Sequence, residues 1–183
     1  MLNRYKLLAA LLLIIFGIVM RVIPHAPNVA PIAAIALVAG VYLGRRYAIV
    51  LPLITMVISD IFIGYHALAP VIWLSFALVG LISFWLRGRL SFGNVITASL
   101  AGSIIFFLIT NLAVWLYVPY YSLDLSGLLY CFYLALPFFR NTVMGDLGFV
   151  AVLFAIAETV LLLRKQPIIE KLAVKKGINI PLG

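Results

Sequence analysis

The chain has 183 residues, of which 66% are hydrophobic and only 10% are charged, and its formal net charge at pH 7 is +8. This composition excludes an ordinary soluble globular domain, because too few polar side chains remain to cover its surface. The basic residues are spread between apolar runs, which excludes the clustered patch of a nucleic-acid-binding protein. The single cysteine, Cys131, excludes an intramolecular disulfide, and it lies too far from His25 and His66 in sequence to predict a metal site.

Six apolar runs predict six membrane-spanning helices that form one transmembrane domain over residues 1–163. In chain order, the predicted spans are at about Tyr5–Val22, Ala30–Gly44, Tyr47–Gly64, Leu68–Leu86, Asn94–Val118 and Pro137–Leu163. The fold class is therefore an all-α integral membrane protein, a six-transmembrane-helix bundle. The first run lacks a clean small-residue cleavage site, so we interpret it as a span rather than as a signal peptide.

The second predicted span and the loop before it are the least regular part of the bundle. The span has about 15 residues, whereas roughly 20 are needed to cross the hydrocarbon core. The preceding loop cannot be helical, because Pro24 and Pro27 each remove a backbone donor and favour extended geometry in the residue before them. Irregular backbone at membrane depth is tolerated only when it is buried in protein or lines a wet cavity. This loop is therefore predicted to be the wall or lid of a binding site.

The last third of the chain contains an apolar stretch that is too short to span and a basic tail. Residues 127–136 are apolar, but counting them as a seventh span would place the C-terminal Lys and Arg residues outside. We therefore predict a short outer amphipathic or re-entrant segment between helices 5 and 6. Residues 164–183 are predicted to be a basic cytoplasmic tail that lies against the anionic inner leaflet.

The distribution of Lys and Arg predicts the orientation of the bundle. Eleven of the thirteen basic residues precede the first span or follow the second, fourth and sixth, and only Arg21 and Arg140 fall elsewhere. Cytoplasmic loops retain Lys and Arg, whereas translocated loops lose them. Both termini are therefore predicted to be cytoplasmic.

Polar and charged side chains are rare within the predicted spans and concentrate in their outer halves. A charged side chain inside a span costs about 2.5–3.5 kcal/mol on insertion scales, so each one needs a compensating role. Because five chain segments place such groups at one depth, beside the proline-broken loop, we predict a substrate-binding pocket open to the outside. Its predicted residues are Arg21, His25, Asn28, Asp60, Asn111, Trp115, Arg140, Asn141 and Asp146.

Structural roles are the alternative for several of these residues. Arg21 could pair with Asp60 or Asp146 and hold helices together without binding a ligand. Asn111 could instead form a hydrogen bond between helices, which is typically worth less than about 1 kcal/mol. Both interpretations remain open at the level of the sequence.

A stripe of small residues on the sixth span allows two further interpretations. It consists of Gly145, Gly148, Ala151 and Ala155, spaced three to four residues apart. Small side chains let helix backbones approach closely, either within the bundle or at a docking face for another membrane subunit. Glu158 lies nearer the inner surface. It could pair either with a basic residue of the tail or with a partner protein.

Several short motifs give the chain a resemblance to a known family. They are Val29–Ala34, Leu51–Leu53, Ser59–Gly64, Pro137–Asn141 and Gly145–Asp146. With six spans in about 180 residues, the chain resembles the substrate-capturing S components of energy-coupling-factor vitamin transporters, in an uncharacterised S-component-like branch. The resemblance implies a protein of the bacterial plasma membrane that captures a vitamin or other micronutrient from the outside.

The resemblance also implies partners. An S component docks on a transmembrane coupling protein that is driven by two ATPase subunits, and its coupling contact is typically an Ala-x-x-x-Ala pair in the first helix. Here Ala9 is followed four residues later by Leu13, and Ala10 by Ile14. A shared energising module, a dedicated module and solitary action therefore all remain open. The chain has no Walker motif, and we predict no cofactor, no nucleic acid partner and no enzymatic activity.

Two alternatives from other functional classes are weighed against transport. One is a membrane scaffold or assembly protein that transports nothing. The other is an intramembrane aspartyl protease, in which Asp60 and Asp146 share a proton and activate water. Gly145-Asp146 matches part of a GxGD motif, but position 143 is Val, and the nearby Arg21 and Arg140 oppose proton sharing.

Overall fold

The computed structural model describes residues 4–175, and the side chains as far as residue 164. The helices are α1 (Arg4–Val22), α2 (Ile32–Val38, continued by a π-helical turn at Ala39–Leu43), α3 (Arg45–Ile63), α4 (Ala69–Leu86), α5 (Phe92–Tyr117) and α6 (Leu125–Lys175). Residues 4–175 contain no strand, so the all-α prediction is confirmed. Five of these helices, all except α2, are long and apolar enough to cross a membrane, which indicates a multi-pass membrane protein.

Three basic side chains contact neighbouring helices at one end of the bundle. The Lys6 ammonium donates to the Leu43 carbonyl at 3.0 Å, and the Arg164 guanidinium lies 4.4 Å from the centre of the Tyr5 ring. The Arg45 guanidinium similarly lies 5.4 Å from the centre of the Phe84 ring. The start of α1, the ends of α2 and α4, the start of α3 and the Arg164 region of α6 therefore meet at what we call the basic end. We call the opposite end, where α1 and α5 finish, the far end.

Helix α2 forms the buried centre of the bundle. Every side chain from Ile32 to Leu37 is at most 2% exposed, and α2 packs against α3, α4 and α6. At 1.5 Å per residue, Ile32–Leu43 is roughly 18 Å long, shorter than the ~30 Å hydrocarbon core. The predicted second span is thus a short helix surrounded by the other helices, which leaves space at the far end above Ile32.

Two glycines permit close contacts of neighbouring helices with α3. A Cβ at Gly80 of α4 would lie 2.3 Å from the Ala48 carbonyl oxygen of α3. A Cβ at Gly17 of α1 would lie 2.6 Å from Thr55 Cγ2 of α3. Any side chain at these positions would force the helices apart, so glycine is what lets α1 and α4 pack directly on α3.

Helix α6 differs from the predicted arrangement. The structure has one continuous 51-residue helix from Leu125 to Lys175, whereas the sequence pattern predicts a separate outer segment followed by a span from Pro137. A helix of that length is roughly 75 Å long, more than twice the hydrocarbon thickness. Pro137 is exposed and lies inside the helix, where the loss of one backbone donor does not end it. Residues 176–183 of the predicted tail lie outside the described part of the chain.

The start of α6 is fixed by a capping residue. The Asp124 carboxylate accepts hydrogen bonds from the Gly127 backbone N–H at 2.7 Å and from the hydroxyls of Ser126 and Ser122 at 2.8 and 2.9 Å. These bonds, the Gly127 N–H first among them, hold the pKa of the exposed Asp124 carboxyl below its usual range. A helix can therefore begin at Leu125, before the apolar stretch that the sequence pattern separates from the last span.

Candidate functional site

A buried ion pair joins three helices just below the far end. Arg21 Nη2 of α1 lies 2.8 Å from Asp60 Oδ1 of α3, and the side chains are 14% and 4% exposed. The Trp73 indole N–H of α4 donates to Asp60 Oδ2 at 2.7 Å, and Arg21 Nη1 contacts the Met56 sulfur. Both carboxylate oxygens of Asp60 therefore have partners within the bundle. The structural role that the sequence left open for Arg21 and Asp60 is present, with Trp73 as a third member.

A cavity of about 230 Å³ lies at the far end, above α2. The loop between α1 and α2 borders it on one side. The other sides are formed by α3, by the loop that joins α3 to α4, and by α4, α5 and α6. Its lining residues are Arg21, His25, Asn28, Ala30, Ile32, Met56, His66, Ile72, Phe76, Phe106, Thr142 and Asp146. The short helix α2 provides the floor, since Ile32 is its first residue.

The proline-broken loop forms one wall of this cavity, as its position in the sequence predicts. His25 Nδ1 lies 2.6 Å from the Ile23 carbonyl oxygen, and Asn28 adopts the left-handed φ of 64°. Asn is among the residues that enter this conformation most readily. The Asn141 side chain of α6 donates to the Pro27 carbonyl at 3.2 Å. Asn141 thereby attaches the loop to α6, and we infer that its role is to position the wall.

Asp146 is the most deeply buried ionisable residue of the cavity lining. It is 4% exposed, and its Oδ2 accepts a hydrogen bond of 2.6 Å from the Ser103 hydroxyl of α5. Among the residues whose side chains the structure describes, Asp146 forms no ion pair. Its carboxylate therefore has one hydroxyl partner, whereas Asp60 has a guanidinium and an indole.

An aromatic and aliphatic wall completes the cavity. The rings of Phe76 in α4 and Phe106 in α5 have centroids 4.8 Å apart and planes inclined by 30°. Ile72 lies one helical turn before Phe76 on the same face of α4. The cavity thus combines one apolar wall with ionisable groups, the composition typical of small-molecule sites.

Four of the nine predicted substrate-binding residues line this cavity, and a fifth lies directly behind it. The four are Arg21, His25, Asn28 and Asp146, and Asp60 bonds to Arg21. Sequence reasoning missed His66, Met56, Trp73, Phe76, Phe106 and Thr142. His66 could have been predicted, because it follows the outer end of the third predicted span, at the same depth as the other polar residues. The aromatic residues had none, since apolar side chains are common throughout the chain.

Asn111, Trp115 and Arg140 are not among the residues that line the cavity. Asn111 donates to the Phe107 carbonyl of its own helix at 2.8 Å, and the Trp115 indole donates to the Ser122 carbonyl at 2.9 Å. Arg140 is exposed. The helical phase explains the difference on α5, since five residues separate Asn111 from Phe106 and turn the side chain roughly 140° away.

The predicted docking stripe divides into two parts. Gly145 faces the loop, and a Cβ there would lie 3.3 Å from the Val29 Cα, whereas one at Gly148 would meet nothing within 4 Å. Ala151 and Ala155 line a second, apolar cavity of about 370 Å³ between α5 and α6 toward the basic end. Glu158 borders this cavity and accepts a hydrogen bond from the Tyr42 hydroxyl. Docking by the open part of the stripe stays a prediction.

Comparison with known proteins gives a family but no activity. A family model described as a family of unknown function (DUF6580) matches residues 2–169. The chain belongs to the DUF6580 family. No curated protein and no solved structure matches it. None of these comparisons links the DUF6580 chain to energy-coupling-factor S components.

The cavity lining of this DUF6580 chain presents polar and apolar groups of the kinds found in small-molecule sites. Its ionisable groups are held in an enclosure of small-molecule size, and Asp60 is already bonded on both oxygens by Arg21 and Trp73. Among the described residues, no three His, Cys, Asp or Glu side chains are grouped as a metal site. The arrangement therefore offers hydrogen-bonding groups and one charged group to a bound molecule.

Proposed function

We propose that this protein captures a small molecule from the outside, as the substrate-binding subunit of an energy-coupling-factor-type transporter in the bacterial plasma membrane. In this proposal the basic end is cytoplasmic, both termini lie inside, and the far-end cavity opens outward. The observation that carries it is the cavity lined by Arg21, His25, Asn28, His66 and Asp146 beside a non-helical loop.

The polar lining supports a binding role because it is costly in an apolar bundle. Burying a polar group without a partner destabilises a protein by about 1–3 kcal/mol, and burying a charge costs more. Asp146 has a single hydrogen-bond partner and still lines an open volume instead of a packed contact. A ligand that bonds to this side chain would supply the missing compensation.

The size of the cavity favours a compact ligand. Its volume of about 230 Å³ is below the roughly 300–1,000 Å³ that is usual for drug-sized ligands. The loop between α1 and α2 forms its wall and is attached to α6 by the Asn141–Pro27 hydrogen bond.

Transport requires an energy source, and the chain supplies none by a Walker-type motif. A partner must provide it, and the open surface at Gly148, Ala151 and Ala155 is where close helix packing is available. A transmembrane coupling protein with two ATPase subunits is therefore part of the proposal, although the first helix departs from the Ala-x-x-x-Ala pattern.

A scaffold role is the second candidate, and the Arg21–Asp60–Trp73 network favours it. That network joins α1, α3 and α4 and leaves neither oxygen of Asp60 unpartnered. The same network argues against an aspartyl protease, since a proton shared between Asp60 and Asp146 would need a carboxylate oxygen that is free of other donors.

Native mass spectrometry of the purified protein tests capture against the scaffold role. Wild type should carry a co-purifying small molecule, and Ala30→Phe should lose it because the larger side chain enters the cavity. Val152→Phe is the matched control, because Val152 is 54% exposed on the outer face of α6 and lines neither cavity. A protein that carries no small molecule in any of the three forms would support the scaffold role.

A further inference from the structure

We propose that the captured molecule is a small organic cation whose ammonium group binds the Asp146 carboxylate. The inference rests on the proposed function and adds the chemical class of the ligand. It is drawn from which charges of the cavity are compensated inside the protein and which are not.

The positive charge of the lining is compensated within the protein. Arg21 is the one Lys or Arg among the lining residues, and it pairs with Asp60 at 2.8 Å and contacts Met56 through its other terminal nitrogen. Its charge is therefore balanced, and its terminal nitrogens have partners, before any ligand arrives. An anionic ligand would have to compete with Asp60 for this guanidinium.

The negative charge of the lining has no counter-ion among the described side chains. Asp146 is 4% exposed, has one hydroxyl partner in Ser103 and forms no ion pair with any residue whose side chain is described. With Arg21 and Asp60 balancing each other, the cavity is left with one uncompensated carboxylate. A cation placed there would form a charge-assisted hydrogen bond, which is roughly twice as strong as a neutral one.

His25 lies in the wall of the cavity, and one of its ring nitrogens already has a partner. The Ile23 carbonyl 2.6 Å from His25 Nδ1 can only accept a hydrogen bond, so Nδ1 carries the proton. In the neutral ring Nε2 is then an acceptor. A neutral His25 would thus add an acceptor nitrogen to the Asp146 carboxylate, and both would accept a hydrogen bond from a donor such as an ammonium N–H.

The apolar wall of the cavity favours an organic cation over a metal ion. Phe76 and Phe106, with ring centroids 4.8 Å apart, present aromatic surface to the same cavity as Asp146. Aromatic faces attract cations, and they pack against the carbon skeleton of a ligand. No grouping of three metal-ligating side chains is present among the described residues. An ammonium on a compact hydrocarbon or aromatic body fits both walls.

Three probes of nearly equal shape but different charge test the inference. Benzylammonium, benzyl alcohol and benzoate are titrated into the purified full chain in lipid nanodiscs, after any co-purified molecule has been exchanged out, and binding is measured by calorimetry or ligand-observed NMR. We expect benzylammonium to bind at least roughly tenfold more tightly than either of the others, as expected for one charge-assisted bond. Asp146→Asn should abolish this preference.

Two further variants make the result specific. Glu158→Gln changes the other carboxylate that borders a cavity, toward the basic end, and should leave the preference intact. Ser103→Ala removes the hydroxyl but keeps the carboxylate, so it should also retain the preference and serves if Asp146→Asn does not fold. Loss of the preference in Ser103→Ala would contradict the inference.

The remaining outcomes separate this inference from the proposed function. Tighter binding of benzoate, equal binding of all three probes, or a cation preference unchanged in Asp146→Asn would overturn the assignment of a cationic ligand. A co-purifying molecule that is lost in Ala30→Phe would still support capture in each of those cases. Absence of that molecule, by contrast, bears on the proposed function alone.

Discussion

Asp60 and Asp146 are both nearly fully buried, but the protein compensates their carboxylates differently. Asp60 bonds to Arg21 and Trp73, so its role can be explained within the bundle. Asp146 bonds to Ser103 and faces the cavity. The two residues are of one type and of similar burial, so only their partners indicate which belongs to the framework and which to the site.

The ion pair leads to a prediction about stability. Asp60→Asn should destabilise the protein by about 3–5 kcal/mol, because Arg21 is left as a buried charge without a counter-ion. The double replacement Arg21→Met with Asp60→Leu should recover most of that loss, since neither position then carries a buried charge. The measurement is unfolding in mixed dodecylsulfate micelles. A double variant as unstable as Asp60→Asn would show that the pair does not act as a unit.

At the scale of helices, the positions of the spans could be predicted from local sequence, but the continuity of α6 depends on tertiary context. Five long helices could be placed from apolar runs, because about 20 consecutive apolar residues have few alternatives to a span. The continuity of α6 could not, since Pro137 suggests a boundary and only the surrounding structure shows that the helix continues. The Asp124 cap, with three hydrogen bonds, was a local signal that would have indicated the true start.

The sequence predicted the end of the bundle at which the site lies, but not all of the residues that line it. The sequence placed Arg21, His25, Asn28 and Asp146 near one end, because each lies in the outer half of a predicted span or in the loop between the first two spans. It could not give the rotation of α5, so Asn111 was included and Phe106 was missed. Rotation about a helix axis depends on packing against neighbours, and α5 is apolar on nearly every face.

The glycine contacts give a prediction at the scale of helices. Gly80→Ala should destabilise the protein by about 1–3 kcal/mol or more, because the added Cβ would meet the Ala48 carbonyl oxygen at 2.3 Å and backbone cannot yield locally. Gly148→Ala is the matched control on α6, where a Cβ meets nothing within 4 Å. It should be neutral or stabilising by about 0.5–1 kcal/mol. Thermal denaturation in detergent compares the two, and equal losses would contradict the close approach of α3 and α4.

For the whole molecule, the basic residues and the cavity lie at opposite ends of the helix bundle. Arg164 of α6 lies on the ring of Tyr5 near the start of α1. The start of the first helix and the Arg164 region of the last helix are therefore both at the basic end. The cavity lies at the opposite end. If the basic end is cytoplasmic, as the positive-inside rule predicts, the cavity opens to the outside.

Reporter fusions test this orientation. A fusion after Gly183 should report a cytoplasmic location, and a fusion within residues 121–124, between α5 and α6, should report an external one. The physical reason is the retention of Lys and Arg on the cytoplasmic side. Replacing Arg87 and Arg89 by Gln is a control that should weaken the bias without changing the helices. An external signal at Gly183 would place the cavity on the wrong side for capture.

The most direct test of the central claim is an experimental structure of the protein purified gently enough to keep its ligand. We expect density for one compact molecule between the Phe76–Phe106 wall and Asp146, beneath the loop held by Asn141. The same density should be missing in Ala30→Phe. A cavity that holds only ordered water in wild type, or that closes by packing of its own side chains, would contradict capture and favour the scaffold role.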